Sequence, residues 1–370
     1  MQFYLRNKNV DLAKFDLSAG VFDAVYLNNV VELHPSVNKI LHCSVADWIL
    51  NRKPYTRRRE LVNLLAQLGI RNQVGYFCST YGVSLNDTLW VCPANNSKLS
   101  WERVSPYTNP LNESIAHYAF DGCGLITGSV SPEYTTNGCL PKCWKRVNGS
   151  IYLYKGGSSG AVNTGREPYS EVYAIQLLRA LGIPKMPFVE YALGKYHNRV
   201  VSKCKLFTSE EYGFLSQYRY NPISVFGQLI ESQLEGQFSD FFRAMYIFDA
   251  LILNVDRHQS NYGYLVRNST GEVVAPAPIF DNGLGCLTYF YSNAEGKQFE
   301  IDFREFVQSR DTSAGFNFVE VAKYCLIPSL QRKLVDVSDF KFTPIKGDDP
   351  MWAELLTRVL HDQVRKILKK

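Results

Sequence analysis

At 370 residues, with 46% hydrophobic and 14% aromatic side chains, the chain is long enough for roughly two or three cooperating domains and apolar enough to fill them, which excludes a disordered chain. A formal charge of +5 permits phosphate-bearing ligands, but the basic residues are interleaved with acids and do not mark a nucleic-acid binder. The nine cysteines include no C-x-x-C pair, and Cys139 and Cys143 have no neighbouring His or Cys pair to complete a zinc site. Reduced thiols in a cytoplasmic protein are therefore expected, with secretion into a host cell left open. The N-terminus MQFYLRNKNVDLAKFD lacks a signal-peptide profile, and no apolar run approaches the roughly 20 residues of a membrane span.

In chain order, residues 1 to about 120 carry strand-like pieces at Val21–Leu27 and Leu89–Val91 and a helical pattern over Arg57–Leu68, ending near Gly69. Within the Gly-, Ser- and Pro-rich stretch 121–165, Lys142–Val147 and Ile151–Lys155 read as strands joined by Asn148-Gly149, a strong hairpin signal. A helix is expected from about Tyr169 to Leu181, closed by Gly182 and Pro184. Strands follow at Pro187–Leu193 and Arg199–Lys205. The remainder is mainly helical, with Phe238–Leu253 the clearest helix and Trp352–Leu368 the last. The order is α+β: an accessory segment (1–120), a strand-rich lobe with one helix (121–206) and a helical lobe (207–370).

Chemistry concentrates in Asn254-Val-Asp-Arg-His-Gln-Ser-Asn261 and Phe280-Asp281-Asn-Gly283. Asp256 and Asn261 sit in a polar turn after an apolar helix. Tyr262–Arg267 and Glu272–Phe280 read as strands about the turn Asn268-Ser-Thr-Gly271, so that Asn261 and Asp281 come to the same open end of one hairpin. Three oxygen-bearing side chains without a thiol or imidazole pair suit Mg²⁺, which keeps waters and binds substrate phosphates. Phosphoryl transfer needs such a set: one carboxylate to orient the attacking hydroxyl, and a carboxylate with an amide to hold the metal. The plainer reading is a capping aspartate and an ordinary Asp-Asn-Gly turn.

Asp256-Arg-His-x-x-Asn261 with Phe-Asp281-Asn-Gly downstream resembles the HipA-like serine/threonine kinases, whose catalytic lobe is related to the phosphoinositide kinases. The resemblance runs from about Gly122 to the C-terminus. It implies a two-lobed protein-kinase-like fold after an N-terminal accessory α/β segment, with ATP and Mg²⁺ as cofactors. It makes Asp256 the residue that positions or deprotonates the acceptor hydroxyl, and Asn261 and Asp281 the metal ligands. His258 lies inside the catalytic turn, where bracing the loop is its expected part.

Upstream, Lys155 ends a strand where an ammonium can neutralise nucleotide phosphates. Glu171 shares the inward stripe of the following helix with Ile175 and Leu178. A carboxylate there needs a cation, and Lys155 is the natural partner; an acid favouring the helix N-terminus is the alternative. In the resembled family this pair orders the nucleotide site. Thr135-Thr-Asn-Gly138-Cys-Leu-Pro-Lys142 lies where kinases fold a loop over ATP, with Gly138 for close backbone approach and Lys142 for charge; a surface turn is the alternative. The family's autophosphorylated loop residue falls by position on Thr135, where serine is expected. The adenine is expected against backbone after Val201.

Gly122-Cys-Gly124-Leu-Ile-Thr-Gly128 only faintly resembles a dinucleotide loop and no helical run follows it. The cluster Arg52-Lys53 with Arg57-Arg58-Arg59 is read as an exposed helix face rather than a DNA contact. The expectation is a Ser/Thr protein kinase acting on a protein acceptor, with a toxin–antitoxin partnership left open. A lipid or small-molecule kinase and a nucleotide-binding pseudokinase are the alternatives.

Overall fold

A computed structural model describes residues 1–18, 26–96 and 98–369, so most of the strand expected at Val21–Leu27 lies outside the described residues. The chain packs as two units, each drawn from three stretches. The first comprises Met1–Lys155, Lys205–Leu215 and Tyr264–Ala275; the second comprises Gly156–Cys204, Ser216–Gly263 and Pro276–Lys370.

The first unit is built on an antiparallel sheet of strands β1 (Gln2–Asn7), β2 (Val10–Ser18), β3 (Tyr26–Glu32) and β4 (Leu89–Pro93), in the order β3-β2-β1-β4. Alternation turns Phe3 and Leu5 of β1 inward opposite Phe15 and Ala13 of β2. Neither β1 nor β2 was among the expected strands, because they turn at Lys8, a non-glycine residue with φ 49°, and not at a glycine signal. Short helices cover the sheet. Helix Arg59–Gln67 buries Leu61, Leu64 and Leu65, which join Trp48, Phe77 and Ile115 in the core. The helix starts two residues later than expected, and Arg58 is fully buried, its guanidinium donating to the Glu133 carbonyl at 2.8 Å. The Arg57–Arg59 cluster is therefore not a uniformly exposed basic face.

Strands β5 (Lys142–Val147) and β6 (Ser150–Gly156) form the expected hairpin, with Val147 opposite Ser150. Asn148 and Gly149 take φ of 49° and 77°, the positive values a type I′ turn requires at both central positions.

In the second unit, helix Glu167–Leu181 carries Pro168 in its first turn and ends on Gly182 in the left-handed region. Strands β7 (Tyr191–Tyr196) and β8 (Arg199–Lys205) pair as a hairpin. The strand expected at Pro187–Leu193 thus begins later, and its first residues are reduced to a single parallel bridge between Phe188 and Ile279. Helix Ser239–Ile252 is buried almost all round, including Phe242 and Phe248, and so forms the core of its unit. Truncating such a buried aromatic costs about 3–5 kcal/mol. The last helix, Met351–Leu368, buries Trp352, Leu356 and Leu360. Among the described residues no helix is long and apolar enough to cross a membrane.

Strands β9 (Tyr212–Ser216), β10 (Gly263–Arg267) and β11 (Glu272–Pro276) make a further sheet in the order β11-β10-β9. The β10–β11 turn lies against the accessory helix Val37–Leu41: at Gly271, φ 69°, an added Cβ would fall on the Lys39 carbonyl oxygen. At the hairpin's open end the Ala277 N–H donates to the Gly263 carbonyl at 2.9 Å.

Candidate active site

Helix Ser239–Ile252 closes on Leu253 with φ 53°, turning the chain into the polar loop 254–261. The loop organises itself before any ligand is considered. Asp256 O accepts from the His258 N–H at 2.8 Å and from Asn261 Nδ2 at 2.9 Å, and the Asn261 N–H reaches His258 O at 2.8 Å. Asn261 Nδ2 is also 3.5 Å from Asp256 Oδ2. With its NH₂ group committed to Asp256, the Asn261 amide has Oδ1 as the atom left to ligate a cation. Asn261 is buried and Asp256 half-buried. His258 is exposed, and its Nδ1 accepts from the Ser260 N–H at 3.2 Å, which makes the imidazole a brace of the loop.

Asp281 stands just past the open end of the β10–β11 hairpin with φ 58°. Its flanks are pinned in three ways. The Asp281 N–H donates to the Tyr191 hydroxyl at 3.4 Å, the Asn282 N–H donates to Glu171 Oε2 at 2.8 Å, and Ser170 Oγ donates to Asn282 O at 2.6 Å. Burial first, then the charges of Cys204, Glu171 and Asp281, push the Tyr191 phenol well above its usual range. Glu171 is fully buried on helix Glu167–Leu181 with Ile175 and Leu178.

Arg257 links these pieces and was not singled out in the sequence. It is 6% exposed. Its Nε and Nη2 hold Asp249 of helix Ser239–Ile252 at 2.9 and 3.0 Å, Nη1 reaches Asn261 O at 3.2 Å and Phe280 O at 2.6 Å, and Nη2 reaches Asn282 Oδ1 at 2.6 Å. Burial opposes the guanidinium charge, but Asp249, Asp281 and Glu171 outweigh it and hold the pKa above its usual value. The sequence signal was Asp249, the one charged residue in the second half of that helix, residues 244–252: a buried carboxylate requires a cation.

On the other side of the loop, the Tyr289 hydroxyl donates to Glu167 Oε1 at 2.8 Å, and Glu167 Oε2 accepts from the Ser158 N–H at 3.1 Å. Burial first, then Glu167 and Asp256, raises the Tyr289 phenol.

The second unit thus brings together Asp256, His258, Asn261, Asp281 and Glu171, whereas Lys155, Lys142, Gly138 and Thr135 belong to the first. There Lys155 is buried near the end of β6. Lys142, also buried, donates from Nζ to Asn137 O at 2.6 Å and lies over Gly138, whose φ is 96°. The Thr135 hydroxyl donates to Val83 O and Pro132 O, each at 3.1 Å.

The donor set fits a hard divalent cation: two carboxylates and one amide oxygen, in a frame fixed by buried hydrogen bonds. It can hold metal-bound phosphate beside a carboxylate able to orient a hydroxyl.

An α+β chain with these two motifs has a kinase-like fold. Its likeness to HipA of Shewanella oneidensis MR-1, solved as a toxin–antitoxin complex of HipA, HipB and operator DNA, covers 99% of both chains with a TM-score of 0.52 at 11% identity. The structure of the proinflammatory kinase CtkA of Helicobacter pylori matches with a TM-score of 0.43 at 18% identity, covering 61% of this chain and 91% of that one. In sequence, the serine/threonine-protein kinase CtkA of Helicobacter pylori is 30% identical over 140 residues, 32% of this chain and 40% of CtkA. The match therefore spans less than half of that relative's length. No family model matches the chain. The chain therefore shares the HipA fold over its whole length, and over 32% of that length it is similar in sequence to a serine/threonine-protein kinase.

Proposed function

We propose that this chain transfers the γ-phosphoryl group of ATP to a serine or threonine hydroxyl of a protein, with Mg²⁺ held by Asn261 and Asp281. The observation that supports this reading most is the oxygen set Asp256, Asn261 and Asp281, whose backbone neighbours converge on one buried guanidinium. In this reading Asp256 aligns the acceptor hydroxyl and takes its proton as the hydroxyl oxygen bonds the γ-phosphorus, while the bond from that phosphorus to the β–γ bridging oxygen breaks and ADP leaves. When bound, Mg²⁺ neutralises charge developing on the transferred phosphoryl group. Lys155 meets the phosphates, Glu171 holds the Asn282 N–H, and Gly138 with Lys142 forms the loop over the nucleotide. His258 keeps the catalytic turn in shape.

The functional partition is 1–120 accessory, 121–206 nucleotide-binding and 207–370 catalytic. Autophosphorylation at Thr135 belongs to the proposal and requires its hydroxyl to leave Val83 O and Pro132 O. An antitoxin partner is proposed from the HipA–HipB assembly alone. Nine cysteines with no C-x-x-C pair among them support a reducing, cytoplasmic setting.

Incubation with labelled ATP, Mg²⁺ and a cell lysate tests the reading, followed by phosphosite mass spectrometry of lysate proteins and of the chain itself. Label on serine or threonine is the expected result. Label confined to lipid or small molecules would replace the acceptor class, and nucleotide binding without transfer would make the chain a pseudokinase.

A further inference from the structure

An arginine side chain has five N–H donors fixed in one plane. In Arg257 they serve four partners in three directions: Asp249 on helix Ser239–Ile252, the carbonyls of Asn261 and Phe280, and the side chain of Asn282. The two carbonyls matter most. One belongs to Asn261 itself, and the other immediately precedes Asp281. Both are bonded by the same nitrogen, Nη1, at 3.2 and 2.6 Å. The backbone at one candidate metal ligand therefore cannot shift against the backbone at the other without breaking a bond to a buried charge. The fork itself is held against helix Ser239–Ile252 by Asp249, whose Oδ1 also accepts from Asn254 Nδ2 at 3.0 Å at the start of the loop. Outside this fork, Ser313 Oγ donates to the Arg257 carbonyl at 3.0 Å, fixing the residue's own backbone.

We infer that Arg257, oriented by Asp249, is a positioning residue that sets the separation of Asn261 and Asp281 and so tunes the grip of the site on a divalent cation. The inference rests on the metal-ligand reading of those two residues proposed above. It assigns Arg257 no contact with substrate. A lysine cannot replace it, because three donors radiating from one point cannot reach Asp249, Nη1's two carbonyls and Asn282 together. Residues that orient metal ligands from behind change metal affinity by about tenfold to a hundredfold when replaced. A residue that merely stabilises the fold does not.

The test measures Mn²⁺ binding by water-proton relaxation, with and without ADP, on the full chain and two variants. Arg257→Lys keeps the charge and loses the fork. Arg257→Met combined with Asp249→Asn removes both buried charges together, so that neither is left without its partner, while the amide oxygen introduced at position 249 would still accept from Asn254. Thermal unfolding and metal-free nucleotide affinity are measured alongside. The expected result is Mn²⁺ affinity weakened by at least about tenfold in both variants, with metal-free nucleotide affinity unchanged and the double variant folded. Folded variants with Mn²⁺ affinity within about twofold of the parent would overturn the inference and leave the metal assignment standing, as would loss of folding in both, which would make the role structural. A parent chain that binds no Mn²⁺ would instead overturn the metal assignment itself, and the inference with it.

Discussion

Replacing Arg58 by Met together with Glu133 by Gln should stabilise the protein. Arg58 is fully buried, yet its guanidinium makes one direct bond, to the Glu133 carbonyl, and its Nε and Nη1 have no partner among the described residues. Burial, opposed by Glu133 and Glu60, drags its pKa from 12.5 to about 10. At about 1.4 kcal/mol per unit this sets roughly 3 kcal/mol against the charged form. Losing the bond to the carbonyl costs about 1–2 kcal/mol, leaving a net gain of about 1–2 kcal/mol for the neutral pair. Burial also raises the Glu133 carboxyl above its usual 4.5. A raised carboxyl contributes stability that is fully present below that value and lost as pH rises through the folded-state pKa, so the double variant's advantage should grow over the same interval. Above about pH 10 the advantage should shrink, as Arg58 releases its proton in the folded state before the unfolded one. Urea unfolding followed by fluorescence of the buried Trp48 and Trp90, at several pH values, measures this. A double variant about 2 kcal/mol less stable than the parent at pH 7 would refute the reasoning. The stability gained should come with a looser Pro132–Thr135 turn, the segment just before Gly138, read as faster hydrogen exchange there.

Other outcomes are expected from the same geometry. Asp256→Ala should abolish labelled phosphate transfer while shifting the thermal midpoint by no more than about 2 °C, because the residue is half-buried on a loop held by its backbone; retained transfer would remove Asp256 from the chemistry. Alkylation of the native protein followed by peptide mapping should label the exposed Cys123 and Cys139 and spare Cys286 and Cys325, whose thiols burial pushes up to about 12. Gly271→Ala should lower stability by about 2–4 kcal/mol, since it combines a left-handed backbone with overlap on the Lys39 carbonyl; a loss below about 0.5 kcal/mol would show that the turn yields cheaply.

Local signals carried much of the fold. The Asn148-Gly149 turn set the β5–β6 register, and Gly182 closed the helix where expected. The hairpin between Asn261 and Asp281 could be read because a turn sits midway between the two motifs, and the Ala277–Gly263 hydrogen bond closes its open end. What escaped depends on long-range packing. The β1–β2 pair turns on Lys8-Asn9, where a lysine takes the left-handed φ that glycine or asparagine usually supplies. Arg58 stood in a run of three basic residues whose burial only the neighbouring Ser131–Thr136 segment decides. Arg257 lay inside the motif read for its aspartate and asparagine, and its partners are spread over residues 249 to 282. A single-residue pattern cannot announce a side chain whose role is to join segments that the chain keeps apart.

The two packing units each take three separate stretches of chain, and the hairpin joining Asn261 to Asp281 leaves one unit and returns to it by way of the other. No single break in the polypeptide can release either unit whole. A truncation at residue 155 would strip the remainder of most of the first unit while leaving it the orphaned stretches 205–215 and 264–275. Residues 1–155 therefore do not make a packing unit by themselves: the stretches 205–215 and 264–275 complete it from the far side of the chain.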